Sequence, residues 1–270
     1  MTVSECRSTE EQPTSPFRTG FRFGRNERYE VLALLGVGAT AVVLLVHDHV
    51  GGRRAAAKFL RSYEGEHPND ALFRARAEAC TLKKLRHENI VKVHEVGLCH
   101  ETAYVLLEHR DGIALDKLVE KGPLPIPCAL DIAVQLAGAL AHAHAAGVLH
   151  LDVKPGNVWV AREGGVKLLD FGMDADFERA QREAATRPRL LFGTPAYMAP
   201  EQWRLMTPDA RTDVWSLGMT LYELVTGELP FAKSGEHPIL ICEAVVSNGA
   251  PPPISRRLNA PPALDELLRR

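Results

Sequence analysis

The chain has 270 residues, 46% of them hydrophobic, enough for one large domain or two lobes around a substantial core. Its formal net charge of -2 gives no global electrostatic reason to expect nucleic acid or an anionic membrane as partner, so any anionic ligand has to be held by a local site. Cys6, Cys80, Cys99, Cys128 and Cys242 are odd in number and scattered, which argues against a disulfide framework or a zinc site and fits a reducing cytoplasm.

In chain order, residues 1–28 are rich in Ser, Thr, Pro, Arg and Glu, hold no apolar period, and read as a mobile tail, either inert or carrying modifiable hydroxyls. The N-terminus lacks a signal-peptide core, and no run approaches the roughly 20 apolar residues of a membrane span. From Tyr29, "YEVLALLG", "ATAVVLLVHD" and "RAAAKFL" are short apolar runs broken by Gly-containing turns, the pattern of an antiparallel meander. Asn69 or Asp70 can cap a helix running to about Arg86, with Glu78, Leu82 and Leu85 recurring on one inward face. "IVKVHEVGLC" and "TAYVLLEH" add two strands. Past Gly112 helices dominate: "ALDIAVQLAGALAHAHAAG" is apolar nearly all round and closes at Gly147. "NVWVAREGGVKLLDFG" reads as two strands joined at Gly164 and Gly165. "DVWSLGMTLYELVTGELPF" is a second core helix, with Val214, Leu217, Leu221 and Leu224 at helical spacing and Gly227 and Pro230 as stops. A proline-rich turn and the start of one more helix complete the chain.

Three features carry chemistry. Gly36 and Gly38 let backbone N–H groups approach phosphate oxygens; a dinucleotide fingerprint would need a helix next, whereas the β-like run Ala41 to Val46 follows. Lys58 interrupts a strand of small and apolar residues, and is either a snorkelling surface lysine or one turned inward. Since Glu78 is also placed inward, the two are best explained as a pair, because losing one partner of a buried pair costs roughly 3–5 kcal/mol. The loop "HLDVKPGNVWV", His150 to Val160, gathers a carboxylate, an ammonium and a carboxamide between apolar segments.

Taken in order, "GVGATAV", "AAAK", Glu78 followed by "HENIV", "HLDVKPGN", "DFG", "GTPAYMAPE" and "DVWSLG" resemble a eukaryotic-type serine/threonine protein kinase domain of the sort also found in bacteria. The resemblance runs from about Tyr29 to the end. It implies an α+β, bilobal kinase fold over residues 29–270, with a small antiparallel N-lobe of 29–107 and a mainly helical C-lobe from 108. It implies ATP bound by Leu35, Gly36, Val37, Gly38, Ala39, Thr40, Ala41, Val43, Ala56, Lys58, Glu78, Leu107 as gatekeeper, and the backbone of Glu108 to Arg110. Asp152 would take the proton of a protein hydroxyl, Lys154 would neutralise the γ-phosphoryl group, and Asn157 and Asp170 would bind Mg²⁺. Thr194 would contact the catalytic aspartate and lysine, favouring Ser/Thr as acceptor, and Asp213 would hydrogen-bond the loop backbone. A pseudokinase that holds nucleotide as a scaffold is the alternative.

The sequence departs from the family at four places. Leu151 replaces the arginine that grips a phosphorylated activation loop, so activity is expected to depend less on loop phosphorylation, with Thr186 the site that would test this. Arg179, Arg182, Arg187 and Arg189 form either a solvated basic loop or an acidic-partner site. Gly156 replaces an acid that some basophilic kinases use, and Ala41 stands for the third glycine. The chain stops before the arginine that pairs with the glutamate of "APE", so either a longer protein continues it or Glu201 has another partner; a membrane anchor beyond residue 270 is compatible with a cytoplasmic domain.

Overall fold

The computed structural model describes residues 18–38, 41–61, 68–171, 193–231, 237–248, 250–256, 258 and 260–269. They fall into two compact units, one within residues 1–72 and 96–109, the other within 73–95 and 110–270.

In the first unit, to which β5 belongs from residue 96 on, β1 (Arg22–Phe23), β2 (Tyr29–Val37), β3 (Ala41–Asp48), β4 (Arg53–Leu60), β5 (Val93–Cys99) and β6 (Thr102–Glu108) form one sheet in the order β1-β2-β3-β4-β6-β5. The two-residue period predicted for the meander is visible in the packing: Tyr29 and Val31 of β2 and Leu44 and Val46 of β3 point inward, while β4 is buried from Ala55 to Leu60. Asp48 ends β3 inside the fold, where its carboxylate accepts hydrogen bonds from Val50 N (3.1 Å) and Gly51 N (2.9 Å) and closes the turn into β4. Arg28 grips the same carboxylate through Nε at 2.7 Å and Nη2 at 2.8 Å. That guanidinium, helped by the turn amides, holds the Asp48 carboxyl well below the usual carboxylate range against the opposing effect of burial.

The tail expectation for residues 1–28 does not hold over its described part. Residues 18–28 lie on the sheet: Arg22 pairs with Glu30, Gly20 N donates to Val31 O (2.8 Å), and Val31 N donates to Phe21 O (2.9 Å). Phe23 enters the core, edge-on to Phe59 (5.0 Å) and Tyr104 (5.1 Å). The alternation Phe21, Phe23 is too short to register as a period, yet one aromatic anchor and an open strand edge suffice to order it. Residues 1–17 lie outside the described residues.

The second unit holds α1 (Pro68–Lys84) for most of its length, α2 (Leu115–Val119), α3 (Ile126–Ala145), α4 (Pro200–Trp203), α5 (Ala210–Thr226), α6 (Pro238–Asn248) and α7 (Pro262–Arg269), with an antiparallel sheet β7 (Gly112–Ala114), β8 (Val158–Ala161), β9 (Val166–Leu168). Glu78, Leu82 and Leu85 are buried as the register requires; the side chains of Asn69 and Asp70 lie outside the described residues. Residues 73–95, given to the N-lobe by the sequence reading, group with the helical unit because the segment after α1 is stitched to β9. Leu168 N donates to Asn89 O (2.7 Å), Val91 N to Leu168 O (3.1 Å), and Asn89 Nδ2 to Val166 O (2.9 Å).

α3 is long and apolar enough to cross a membrane by length and composition alone, although the sequence reading found no such run; here it packs on α5 with Leu136, Ala139, Leu140 and Ala143 buried. α5 begins in a capping box, Asp209 accepting from Arg211 N (2.8 Å) while Thr212 Oγ1 accepts from Asp209 N (3.2 Å), and ends at Gly227 in the left-handed region. Its inward face matches the predicted stripe at Leu221 and Leu224, both buried, but not at Val214, which is 57% exposed; Asp213, Ser216 and Thr220 are buried instead. The polar residues face inward because the chain around the next site needs their hydrogen bonds. α7 is the further helix expected near the end, and Asp265 ties it to the preceding turn by accepting from Ile254 N (2.6 Å) and Ser255 N (3.2 Å).

Candidate active site

The loop after α3 is fixed by its main chain. Asp213, buried in the first turn of α5, accepts from His150 N (2.8 Å) and Leu151 N (2.7 Å), and its Oδ2 also meets His144 Nε2 of α3 at 2.7 Å. One carboxylate thus satisfies three donors that burial would otherwise leave without water. His150 is fully buried; its Nε2 donates to Leu169 O (2.7 Å), so its Nδ1 is the acceptor for Asp152 N (3.3 Å), and its ring packs edge-on against Phe171 at 4.6 Å. Leu151 is buried and stands in the left-handed region at φ 66°, a strained backbone for leucine.

Immediately after it, Asp152 is the hub of the loop. Oδ1 accepts from Thr194 N (2.8 Å) and Thr194 Oγ1 (2.7 Å); Oδ2 pairs with Lys154 Nζ (2.6 Å) and accepts from Asn157 Nδ2 (3.1 Å). Lys154 also donates to Thr194 Oγ1. The residues expected to be catalytic, Asp152, Lys154 and Thr194, are therefore brought together, although 40 residues separate Lys154 from Thr194. The Thr194 hydroxyl demonstrates the local chemistry: an aliphatic alcohol donates to the carboxylate while an ammonium donates to the alcohol oxygen.

Asn157 is buried, and its Nδ2 donates to Asp152 O (2.8 Å) as well as to the Asp152 carboxylate. With both amide hydrogens so used, Oδ1 is the atom left for a ligand, and it is a hard oxygen. Leu169 N donates to Asn157 O (2.8 Å), which brings the chain at Asp170, itself at φ 59°, beside Asn157. Among the described residues no group of three His, Cys, Asp or Glu side chains could hold a metal ion. One amide oxygen and one carboxylate nonetheless fit Mg²⁺ of the kind that keeps waters and takes its remaining ligands from phosphates.

The nucleotide residues expected in the first unit lie on neighbouring strands. Val43 stands opposite Lys58, Ala56 opposite Leu107, and Ala55 opposite Glu108. Leu35, Gly36 and Val37 end β2 and Gly38 N donates to Ala41 O (2.8 Å), so Gly36 is paired in the first of two antiparallel strands and Gly38 lies between them; Ala39 and Thr40 lie outside the described residues. Lys58, on β4, and Glu78, on α1, are each buried. Arg110 O, in the second unit, accepts from Trp159 Nε1 (3.0 Å).

Several partners were not singled out from sequence. Gln202, buried on α4, accepts from Ala199 N at Oε1 (2.9 Å) and donates from Nε2 to Leu151 O (3.3 Å). Glu201 accepts from Thr212 Oγ1 (2.6 Å). Tyr197 OH donates to Glu223 Oε2 (2.6 Å); burial first, then the neighbouring Glu223 charge, raises the phenol and keeps it a donor, while burial likewise raises the Glu223 carboxyl. His144 and Gln202 sit in helical patterns that look like ordinary helix residues, so no sequence signal marks them. Thr186 and the arginines Arg179, Arg182, Arg187 and Arg189 lie outside the described residues.

A family model described as the protein kinase domain matches residues 29–253. A probable serine/threonine-protein kinase of Clostridium perfringens is 33% identical over 244 residues, covering 90% of this chain and 35% of that protein. Serine/threonine-protein kinase PknB of Mycobacterium leprae is 36% identical over 236 residues, covering 86% and 37%. The crystal structure of the Mycobacterium tuberculosis PknI kinase domain superposes with a TM-score of 0.68 at 28% identity, covering 94% of this chain and 89% of that one. The chain spans little more than a third of the length of these curated relatives.

Proposed function

The chain belongs to the protein kinase domain family and has its fold, and from that premise we propose that it transfers the γ-phosphoryl group of ATP to serine or threonine hydroxyls of protein substrates. The observation that carries this reading is the Asp152 carboxylate, held by Lys154, Asn157 and Thr194 at once. In the proposed reaction a substrate hydroxyl takes the acceptor position that Thr194 Oγ1 now exploits on Asp152. The hydroxyl oxygen bonds to the γ-phosphorus, its proton passes to Asp152, and the bond to the β-phosphate oxygen breaks to release ADP. Lys154 offsets the charge of the phosphoryl group in flight, and a positioned base of this type contributes about 10²- to 10⁴-fold. Asn157 Oδ1 and Asp170 would hold Mg²⁺, which supplies charge neutralisation at the phosphates. Leu35 to Val43, Ala56, Leu107 and the Glu108 to Arg110 backbone would bind the rest of ATP, with Lys58 on its α and β phosphates and Glu78 holding Lys58.

Support for a protein acceptor comes from the segment Gly193 to Glu201, which is ordered against Asp152 through Thr194 and against α5 through Tyr197 and Glu201. The four described cysteines are unpaired thiols, in keeping with a domain working in the cytoplasm where ATP is supplied.

The test is transfer from γ-labelled ATP with Mg²⁺ to the protein itself and to a generic protein substrate, beside Asp152→Asn. Transfer lowered at least about 10²-fold in the variant supports the reading. A folded wild-type protein that binds nucleotide and transfers nothing would support the scaffold reading instead.

A further inference from the structure

The peptide joining Leu151 to Asp152 is pinned at both ends. Its carbonyl accepts from Gln202 Nε2 (3.3 Å) and its N–H donates to His150 Nδ1 (3.3 Å), while the preceding peptide N–H is held by Asp213 Oδ1 (2.7 Å). Leu151 between them is at φ 66°, a conformation that persists in a non-glycine residue only when its surroundings over-determine it. The plane of this peptide fixes the direction in which the Asp152 side chain leaves the backbone. Two of these three restraints come from the loop and α5; the third, Gln202, comes from α4, just after the segment that carries Thr194. Gly193 comes close to the same carbonyl: a Cβ there would lie 3.1 Å from Leu151 O and 3.3 Å from Gln202 Nε2.

We propose that Gln202 is a positioning residue for the transfer reaction, a neutral latch that locks the Leu151–Asp152 peptide to the Thr194 segment. The inference rests on the kinase reading for its activity readout and on geometry for the rest. Gln202 is buried, and its Oε1 is committed to Ala199 N (2.9 Å), so the amide is oriented with its donor towards Leu151 O. Leu151 itself offers no cation with which a phosphate could tie the two segments together. A carboxamide and a carbonyl need neither phosphate nor charge, so this latch is set by folding alone.

Two variants separate the arms. Gln202→Met keeps the volume and removes the amide's hydrogen bonds, those with Ala199 N and Leu151 O among them; Gln202→Glu keeps an acceptor for Ala199 N and removes the amide donor to Leu151 O. Both are expected to lower kcat about 10- to 100-fold, the scale of a reacting group displaced by about an ångström, while KM for ATP and ADP affinity stay within about twofold. Amide hydrogen exchange at Asp152 speeds up in both, while protection of the amides inside α3 and α5 reports that each variant is folded. The proposal is overturned if Gln202→Glu keeps kcat within about twofold of wild type, if ADP affinity falls in step with kcat, or if exchange at Asp152 is unchanged. Should the wild-type chain transfer no phosphate, the kinase reading fails on its own account, and exchange at Asp152 alone then decides the latch.

Discussion

Leu151 concentrates the chain's departure from its family in one side chain. A leucine in the left-handed region, buried and placed directly before Asp152, cannot offer the charge that an arginine would hold out to a phosphorylated loop. Asp152 is nevertheless fully engaged, with both carboxylate oxygens in use. Dephosphorylating the purified protein with a broad phosphatase is therefore expected to leave its transfer rate within about twofold, and Thr186→Ala is expected to behave alike. A loss of more than about tenfold in either experiment, read by the labelled-ATP assay, would show that loop phosphorylation is needed after all.

Among the elements, β1 is the one whose existence has a measurable cost of removal. It lies ahead of residues 29–253, where the family match begins, yet puts Phe23 into the aromatic cluster with Tyr29, Phe59 and Tyr104. Truncating a buried phenylalanine costs about 3–5 kcal/mol, so Phe23→Ala is expected to lower the denaturant midpoint of the first unit clearly, whereas Arg22→Ala, on an exposed pair with Glu30, is expected to change it little. A midpoint unmoved by Phe23→Ala would mean that β1 does not hold the sheet. The same element shows where sequence reasoning stops. Long periodic runs such as α3, and strands broken by Gly164 and Gly165, were legible because burial of one face imposes a period. A two-residue strand imposes none. Asp152, Lys154 and Asn157 were legible as a set because they share one loop, and Thr194 only through the order of motifs. Gln202 and His144 were not, since a hydrogen bond to a distant carbonyl or carboxylate leaves no local spacing behind. Val214 was misassigned because α5 turns buried polar groups, chiefly Asp213, towards the loop, so its inward face is not its most apolar one.

For the molecule as a whole, the acid limb of the stability curve carries a specific signature. The Asp48 carboxyl titrates lower when folded than when unfolded, because Arg28 and the turn amides favour its charged form. A depressed folded value gives a contribution fully present above the unfolded value of about 3.9 and lost as pH falls from there towards the folded one. Between pH 7 and 5 this group is expected to leave stability flat, and below about pH 4 to make it fall; Asp48→Asn should be less stable at neutral pH and lose less on acidification. Urea midpoints of the two proteins at pH 7 and pH 3.5 check this: a parallel decline would remove Asp48 as the cause.

The double pinning of the Leu151–Asp152 peptide also bears on how such a loop can diversify. Its shape is written in main-chain hydrogen bonds to Asp213, His150 and Gln202, none of which consults the side chain at 151. Position 151 is thereby uncoupled from the geometry of the loop, and evolution can exchange a charged residue for an aliphatic one there, trading one mode of control for another, while the Asp152 carboxylate stays where it was.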